Sequence, residues 1–243
     1  MHSGINVGLA LVGFFVGALN ALAGGGSLIS FPFVLATGIG AVRATTTNAL
    51  GISSANFTAL IAVRKDFKKL FHEYKLLILI SSVFATIGAI ALLVIPERYF
   101  EKAIPFLLLA ATLTILMPLR KAGRYFTENW ERAAIASSGF YCGYFGPGQG
   151  IIVIAALSRR RPIKDVNVAK NIIIGLTTIF SNAIYLFSGR VAWGLCATLL
   201  VTSSLGGWVG GHMSTRIRPK VLRTLVFLVG ITASVWLFKK YYF

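Results

Sequence analysis

The sequence predicts an all-α membrane protein made of two inverted repeats, each a broken-helix, re-entrant hairpin followed by three transmembrane helices. Three observations predict it. First, 56% of the 243 residues are hydrophobic and only 13% are charged, with a mean hydropathy of +0.77. A soluble domain carries about twice that charged fraction. Second, two glycine knots, Ala23-Gly24-Gly25-Gly26-Ser27 and Gly146-Pro147-Gly148-Gln149-Gly150, interrupt apolar runs at corresponding places in the two halves. Third, eighteen of the 24 Lys and Arg residues fall in four short segments, 64–75, 120–132, 159–170 and 216–223.

The first repeat, 1–119, opens with a hairpin over 5–38, whose apolar segments 5–23 and 27–38 flank the first knot. A glycine costs a helix about 1 kcal/mol relative to alanine, so three in a row should break it. Backbone groups freed at membrane depth must be buried in protein or line a cavity. Spans at 42–63, 75–95 and 101–119 follow, and a polar cytoplasmic linker covers 120–132. The second repeat, 133–243, has a hairpin over 133–158, with apolar segments 133–145 and 150–158 about the second knot. Spans at 168–187, 191–213 and 221–238 complete it. A full crossing needs about 20 residues, so 27–38 and 150–158 read as half-helices that return to the side they came from. Two broken helices at matching places point to a transporter binding site.

The halves share more than the knots. Gly13-Phe14-Phe15-Val16-Gly17 matches Gly139-Phe140-Tyr141-Cys142-Gly143, and Asn48 and Asn171 follow their knots at nearly equal distance. Three spans per half is an odd number, so the second half should be inverted. Placing 64–75 in the cytoplasm puts all four basic segments there, as the positive-inside rule requires. Only Arg43, Arg98, Lys102, Arg190, Lys239 and Lys240 are left outside. Both termini are then extracytoplasmic, with Tyr241, Tyr242 and Phe243 as an interfacial anchor. The same distribution argues against a nucleic-acid reading of the net charge of +17. The N-terminal run ends Ala21-Leu22-Ala23 but has no basic flank ahead of it, so it reads as a mature helix and not a signal peptide. The pairs Gly13/Gly17, Gly139/Gly143 and Gly207/Gly211 read as close helix-packing sites. Cys142 and Cys196 read as small apolar packing residues.

The chemistry should gather at the knots. Ser27 can N-cap the half-helix after the first knot, whose N–H groups and dipole would then face an anion. The second knot does the same from the other side, with Gln149 as a side-chain donor. Thr45-Thr46-Thr47-Asn48 and Ala169-Lys170-Asn171 open the first span after each hairpin, where their side chains could cap the helix or contact a solute. Lys170 either snorkels to the cytoplasm or supplies positive charge to the site. Asn20, Asn56 and Asn182 also lie deep in apolar runs, as interhelical or solute contacts. The candidate binding set is therefore Gly24, Gly25, Gly26, Ser27, Thr46, Thr47, Asn48, Gly148, Gln149, Gly150, Lys170 and Asn171.

What is missing narrows the reading. All seven acidic residues, Asp66, Glu73, Glu97, Glu101, Glu128, Glu131 and Asp165, are expected in loops. Cation transporters and carboxylate proton relays place Asp or Glu at membrane depth. Their absence there, with Lys170 and Arg43 near the knots, favours an anionic solute. His212 is read as an interface residue. Neither knot is followed by Gly-Lys-Ser/Thr, no βαβ context supports a dinucleotide fold, and no His/Glu pair has zinc spacing. No cofactor, metal or enzymatic activity is expected.

The run from Gly13 to Gly17, the Ala23–Pro32 knot and Ala44-Thr45-Thr46-Thr47-Asn48 together resemble the TauE/SafE family of membrane anion exporters. Gly139 through Gly150 is similar to that family's second repeat, and the resemblance covers nearly the whole chain. It implies export of sulfite, sulfonates or related sulfur-containing anions across the bacterial inner (plasma) membrane. Pro147, Gln149 and Lys170 depart from its more glycine- and threonine-rich pattern. The expected partners are a small sulfur-containing oxyanion, the lipid bilayer and a second copy in a homodimer, with no nucleic acid. An anion channel using the same central site is the alternative.

Overall fold

The computed structural model describes residues 2–23, 25–55, 57, 67–116, 127–158, 163–213 and 219–243. Gly24 and Asn56 fall outside the described residues, as do parts of all four basic segments. Every regular element among the described residues is helical: α1 (His2–Ala23), α2 (Ser27–Ala36), α3 (Ala41–Gly51), α4 (Phe67–Val94), α5 (Glu97–Thr114), α6 (Glu128–Tyr144), α7 (Gln149–Leu157), α8 (Ile163–Phe187), α9 (Trp193–Met213) and α10 (Pro219–Tyr242). The protein is an all-α membrane protein. Within the described residues, Phe67–Val94, Val168–Phe187 and Arg223–Tyr242 are each long and apolar enough to cross a bilayer. Leu79, Val83, Ile87, Ile90 and Val94 form an exposed apolar stripe along α4. Their three- and four-residue spacing is one helix face, and lipid is the environment that such a face requires.

The helices overrun the apolar segments at their polar flanks. α4 begins at Phe67, α6 at Glu128 and α8 at Ile163, each five or more residues before the predicted span. Hydropathy marks the lipid-crossing part, whereas the backbone winds on until a cap stops it. At α6 that cap is Thr127, whose Oγ1 accepts the Trp130 N–H at 3.3 Å. The overrun also corrects the placement of the acids. The six that are described all lie within the first two turns of helices, not in loops, where the helix dipole favours them. The expected continuous span 42–63 differs too. α3 ends at Gly51, Ile52 forms a turn, and residues 53–55 are helical again. Residues 58–66 are outside the described set. Gly51 faces Leu199 so closely that a Cβ there would lie 2.7 Å from the leucine's own. Ser53 returns its hydroxyl to the Leu50 carbonyl at 2.6 Å.

The packing of one half is echoed in the other. α1 packs on α9 as α6 packs on α4; α3 meets α9 as α8 meets α4; α2 meets α10 as α7 meets α5. The glycine pairs make the first of these contacts close. Gly17 lies against the Ser203 backbone, and Gly143 against the Ala85 carbonyl. The facing helices return the contact through Gly206 on the Phe14 backbone and Gly88 on the Phe140 backbone. Gly206, adjacent to the predicted Gly207/Gly211 pair, therefore makes the close approach on α9.

Hydrogen bonds identify one end of the bundle. The Val42 N–H at the start of α3 donates to Glu97 Oε1 at 2.9 Å. The Ala192 N–H donates to Thr47 Oγ1 at 2.9 Å, and the Thr46 hydroxyl donates to the Arg190 carbonyl. The Tyr242 hydroxyl donates to the Lys102 carbonyl at 3.0 Å. The start of α3, the α4–α5 turn, the α8–α9 loop and the end of α10 thus share this end. Gly8 and Leu9 of α1 lie beside Ala36 and Thr37 at the end of α2, so the first hairpin opens here as well. The second does not. The start of α6 (Glu128, Glu131, Arg132) lies beside the start of α4 (His72, Glu73, Lys75), at the opposite end.

Candidate functional site

The two knots touch. The Gly148 N–H donates to Ser27 Oγ at 3.0 Å, so a side chain from the first half holds the backbone of the second. Phe31 and Phe145 meet edge to face with centroids 4.9 Å apart. Gly148 has φ +87, a left-handed conformation that glycine adopts without penalty. A Cβ there would also lie 2.9 Å from Ala111 Cβ. Tyr141 donates its hydroxyl to the Pro147 carbonyl at 2.5 Å, and Asn20 Oδ1 accepts the Gly26 N–H at 3.0 Å. Each knot is therefore tied by a side chain from the helix that precedes it.

Beside the knots lies a small, partly open cavity. Both halves line it: Asn20, Ser27 and Asn48 from the first, Gln149, Gly150, Lys170, Asn171 and Asn182 from the second. Of the sequence-predicted set, Ser27, Asn48, Gln149, Gly150, Lys170 and Asn171 come together here. Cys142, Gly146, Pro147, Thr178 and Ser181 complete its polar and turn-forming wall, with Phe145, Ile52 and Ile174 as apolar surface. Thr178, Ser181 and Asn182 continue the face of α8 that carries Asn171 and Ile174. Asn182 is among the asparagines singled out in the sequence; for Thr178 and Ser181 the polar stripe at three- and four-residue spacing is the signal that finds them. Both cysteines are free and buried, and Cys142 adds a cavity-wall position to the packing role expected of it.

Several predicted residues lie elsewhere. Ser27 does not N-cap α2. Gly26 occupies that position, and the Ser27 hydroxyl is turned to Gly148. Gly25 packs against Ile151 and Val226, while Gly26 lies under the Val16 carbonyl. Gly148 supports the turn without lining the cavity. Thr46 and Thr47 spend their hydroxyls on the α8–α9 loop, and Thr45 returns its own to the Ala41 carbonyl at 3.0 Å. Successive helical residues point about 100° apart, so three adjacent threonines cannot all face one solute. Arg43 is exposed on the first turn of α3. Gly24 lies outside the described residues, as does the side chain of His212.

The helix starts are also less open than their glycines implied. The Leu28, Ile29 and Ser30 N–H groups bond back to Gly25 and Gly26, and Gly26 N–H goes to Asn20. At the second knot Gly148 N–H goes to Ser27, and Gln149 N–H to the Gly146 carbonyl at 3.1 Å. Recognition must then come mainly from side chains. Lys170 is 3% exposed, so it does not snorkel to the surface. Among the described residues, no hydrogen bond or salt bridge engages its ammonium, and no carboxylate lines the cavity. Gln149 Nε2, Asn48 Oδ1 and Asn182 Oδ1 are buried on lining residues without a hydrogen-bond partner. Buried polar atoms of this kind usually have a partner, and a solute in the cavity would supply one.

Ser27→Ala tests the contact between the knots. It leaves the Gly148 N–H buried and unsatisfied, a loss of about 1–3 kcal/mol. The expected result is a lower melting temperature for the detergent-solubilised protein, with Ser27→Thr retaining most of the stability.

Comparison with known proteins identifies the family. Residues 9–237 match the sequence model of the family described as Sulfite exporter TauE/SafE. A probable membrane transporter protein of Haemophilus influenzae is 30% identical over 234 residues, covering 88% of this chain and 89% of that one. Probable membrane transporter protein ORF9 of a Sinorhizobium species is 26% identical over 236 residues, covering 93% and 90%. Probable membrane transporter protein YfcA of Escherichia coli K12 is 25% identical over 240 residues, covering 93% and 87%. No solved structure matches. The chain belongs to the TauE/SafE family, and it is a multi-pass membrane transporter and not an enzyme.

Proposed function

We propose that this transporter is a secondary exporter of a small sulfur-containing oxyanion, sulfite or an organosulfonate, bound in the cavity between the two knots. One observation carries the reading. Lys170 is a buried cation on the cavity wall, unopposed by any carboxylate among the described residues and flanked by carboxamides and hydroxyls. An isolated buried charge is costly, and an anion from solution is the partner that would neutralise it. The sulfur chemistry and the outward direction draw on the description of the matching family.

The two halves are proposed to be inverted repeats, 1–119 and 133–243, joined by a cytoplasmic linker over 120–132. The echoed helix contacts and the opening of the two hairpins at opposite ends of the bundle support this. So does the gathering of basic segments on one side of the proposed topology, with both termini extracytoplasmic and the chain in the inner membrane. A homodimer is compatible with this scheme, because each copy holds a cavity within a single chain.

The test is flux. Protein in sealed vesicles loaded with labelled sulfite or methanesulfonate is expected to show saturable efflux, accelerated by unlabelled anion on the opposite side. Current that follows voltage without saturation or countertransport would make the protein a channel. Oxyanion flux no greater than in protein-free vesicles would refute the proposal.

A further inference from the structure

Resting on the reading of the cavity as an anion site, we infer that it selects a singly charged oxyanion that carries its own hydrogen-bond donor, such as a hydroxyalkanesulfonate or hydrogensulfite. Two features of the wall point there, and they are independent.

The first is charge. Among the described residues, those lining the cavity include one cation, Lys170, and no acid. One ammonium balances one negative charge. A dianion such as sulfate would leave an excess charge buried, which is unfavourable. The remaining polar groups are neutral amides and hydroxyls, and none can supply a second full charge.

The second is the sense of the hydrogen bonds. A site shaped for an acceptor-only anion is lined by donors. Here Asn48 and Asn182 each hold an orphaned oxygen, Oδ1, on side chains 2% and 7% exposed. Gln149 Nε2 and Lys170 supply donors on the same cavity. A carboxamide offers one acceptor and one donor group in either orientation, so a wall of carboxamides can always accept as well as donate. Oxygens of the ligand would take hydrogen bonds from Lys170 and Gln149, and a hydroxyl on the ligand would donate to Asn48 or Asn182. Ile52, Phe145 and Ile174 give a short alkyl linker an apolar surface to lie against.

The experiment compares near-isosteric ligands on the purified full chain at fixed ionic strength: 2-hydroxyethanesulfonate, propane-1-sulfonate and sulfate. The hydroxyl is expected to improve affinity about 5- to 10-fold over the propyl compound, as one added neutral hydrogen bond does. Sulfate is expected to bind more weakly than either sulfonate. Asn48→Ala and Asn182→Ala should bring the hydroxyethyl-to-propyl ratio toward one. The wild-type ratio needs no variant, so a variant that fails to fold does not leave the question open. Equal affinity for the two sulfonates would overturn the donor requirement, and water would then be what satisfies the two orphaned oxygens. Sulfate binding as tightly as the sulfonates would overturn the charge selection. If none of the three binds, the anion-site reading itself fails, which is a different outcome from either of these.

Discussion

Replacing Lys170 by alanine is expected to weaken oxyanion binding about 10- to 100-fold. A charge-assisted hydrogen bond contributes roughly 1.5–3 kcal/mol, and each 1.4 kcal/mol is about a decade in affinity. The same substitution should leave the ligand-free protein as stable as before or more so. The ammonium is buried with no ion-pair partner among the described residues, and removing an uncompensated charge relieves its desolvation cost. The signature is thus a pair of opposed shifts: melting temperature unchanged or raised without anion, and the anion-induced rise in melting temperature reduced. A residue that only supported the fold would lower both. Lys170→Arg is not expected to rescue binding, because a planar guanidinium fork does not fill the space of a compact ammonium. Asn171→Ala is the comparison variant. Normal binding by Lys170→Ala alongside loss in Asn171→Ala would remove the lysine from the site.

The second large effect concerns the close contact between the halves. Gly143→Ala should destabilise the protein, because the new methyl would overlap the Ala85 carbonyl oxygen and lie 2.7 Å from the Ala89 N. Both are backbone atoms of α4, so no side chain can turn aside. Overpacking of this sort costs about 1–3 kcal/mol, or roughly 2–12 °C of melting temperature for a chain of this size. Gly17→Ala should behave alike, since its methyl would strike the Ser203 carbonyl. Gly194→Ala is the control. Nothing lies within 4 Å of its added Cβ, and alanine is the better helix former. A similar loss at all three positions would contradict this account, because neither contact between helices nor helix propensity predicts a loss at Gly194.

Hydropathy and glycine carried most of the fold at the level of sequence. Both knots break their helices where the glycines stand, because nothing in an apolar run offsets the helix penalty of a Gly-Gly-Gly or Gly-Pro-Gly sequence. Helix ends were less legible. Lys68, Lys69 and His72 read as a loop by polarity, yet they lie on the first turns of α4, since polar residues at a membrane surface can remain helical. Within the site, Ser27, Asn48, Gln149, Gly150, Lys170 and Asn171 could be found by counting from the knots, because repetition fixes equivalent positions. Thr46 and Thr47 share that position and the right chemistry, but the angle between successive helical residues sets their directions, and a residue count does not show it. The bond from Gly148 to Ser27 joins residues 121 positions apart, and no local pattern announces it. The helix starts were expected to hold the anion through N–H groups. Those groups are mostly consumed by the turns themselves, a matter of local geometry that composition does not reveal.

The central claim, that an oxyanion binds between the knots beside Lys170, is most directly tested by anomalous diffraction from crystals soaked in selenite, the heavier congener of sulfite. The account predicts a selenium peak inside the cavity, within hydrogen-bonding distance of the Lys170 ammonium and beside Gln149, and absent from Lys170→Ala crystals. Selenium found only at the basic segments on the membrane surface, with an empty cavity at saturating selenite, would contradict it.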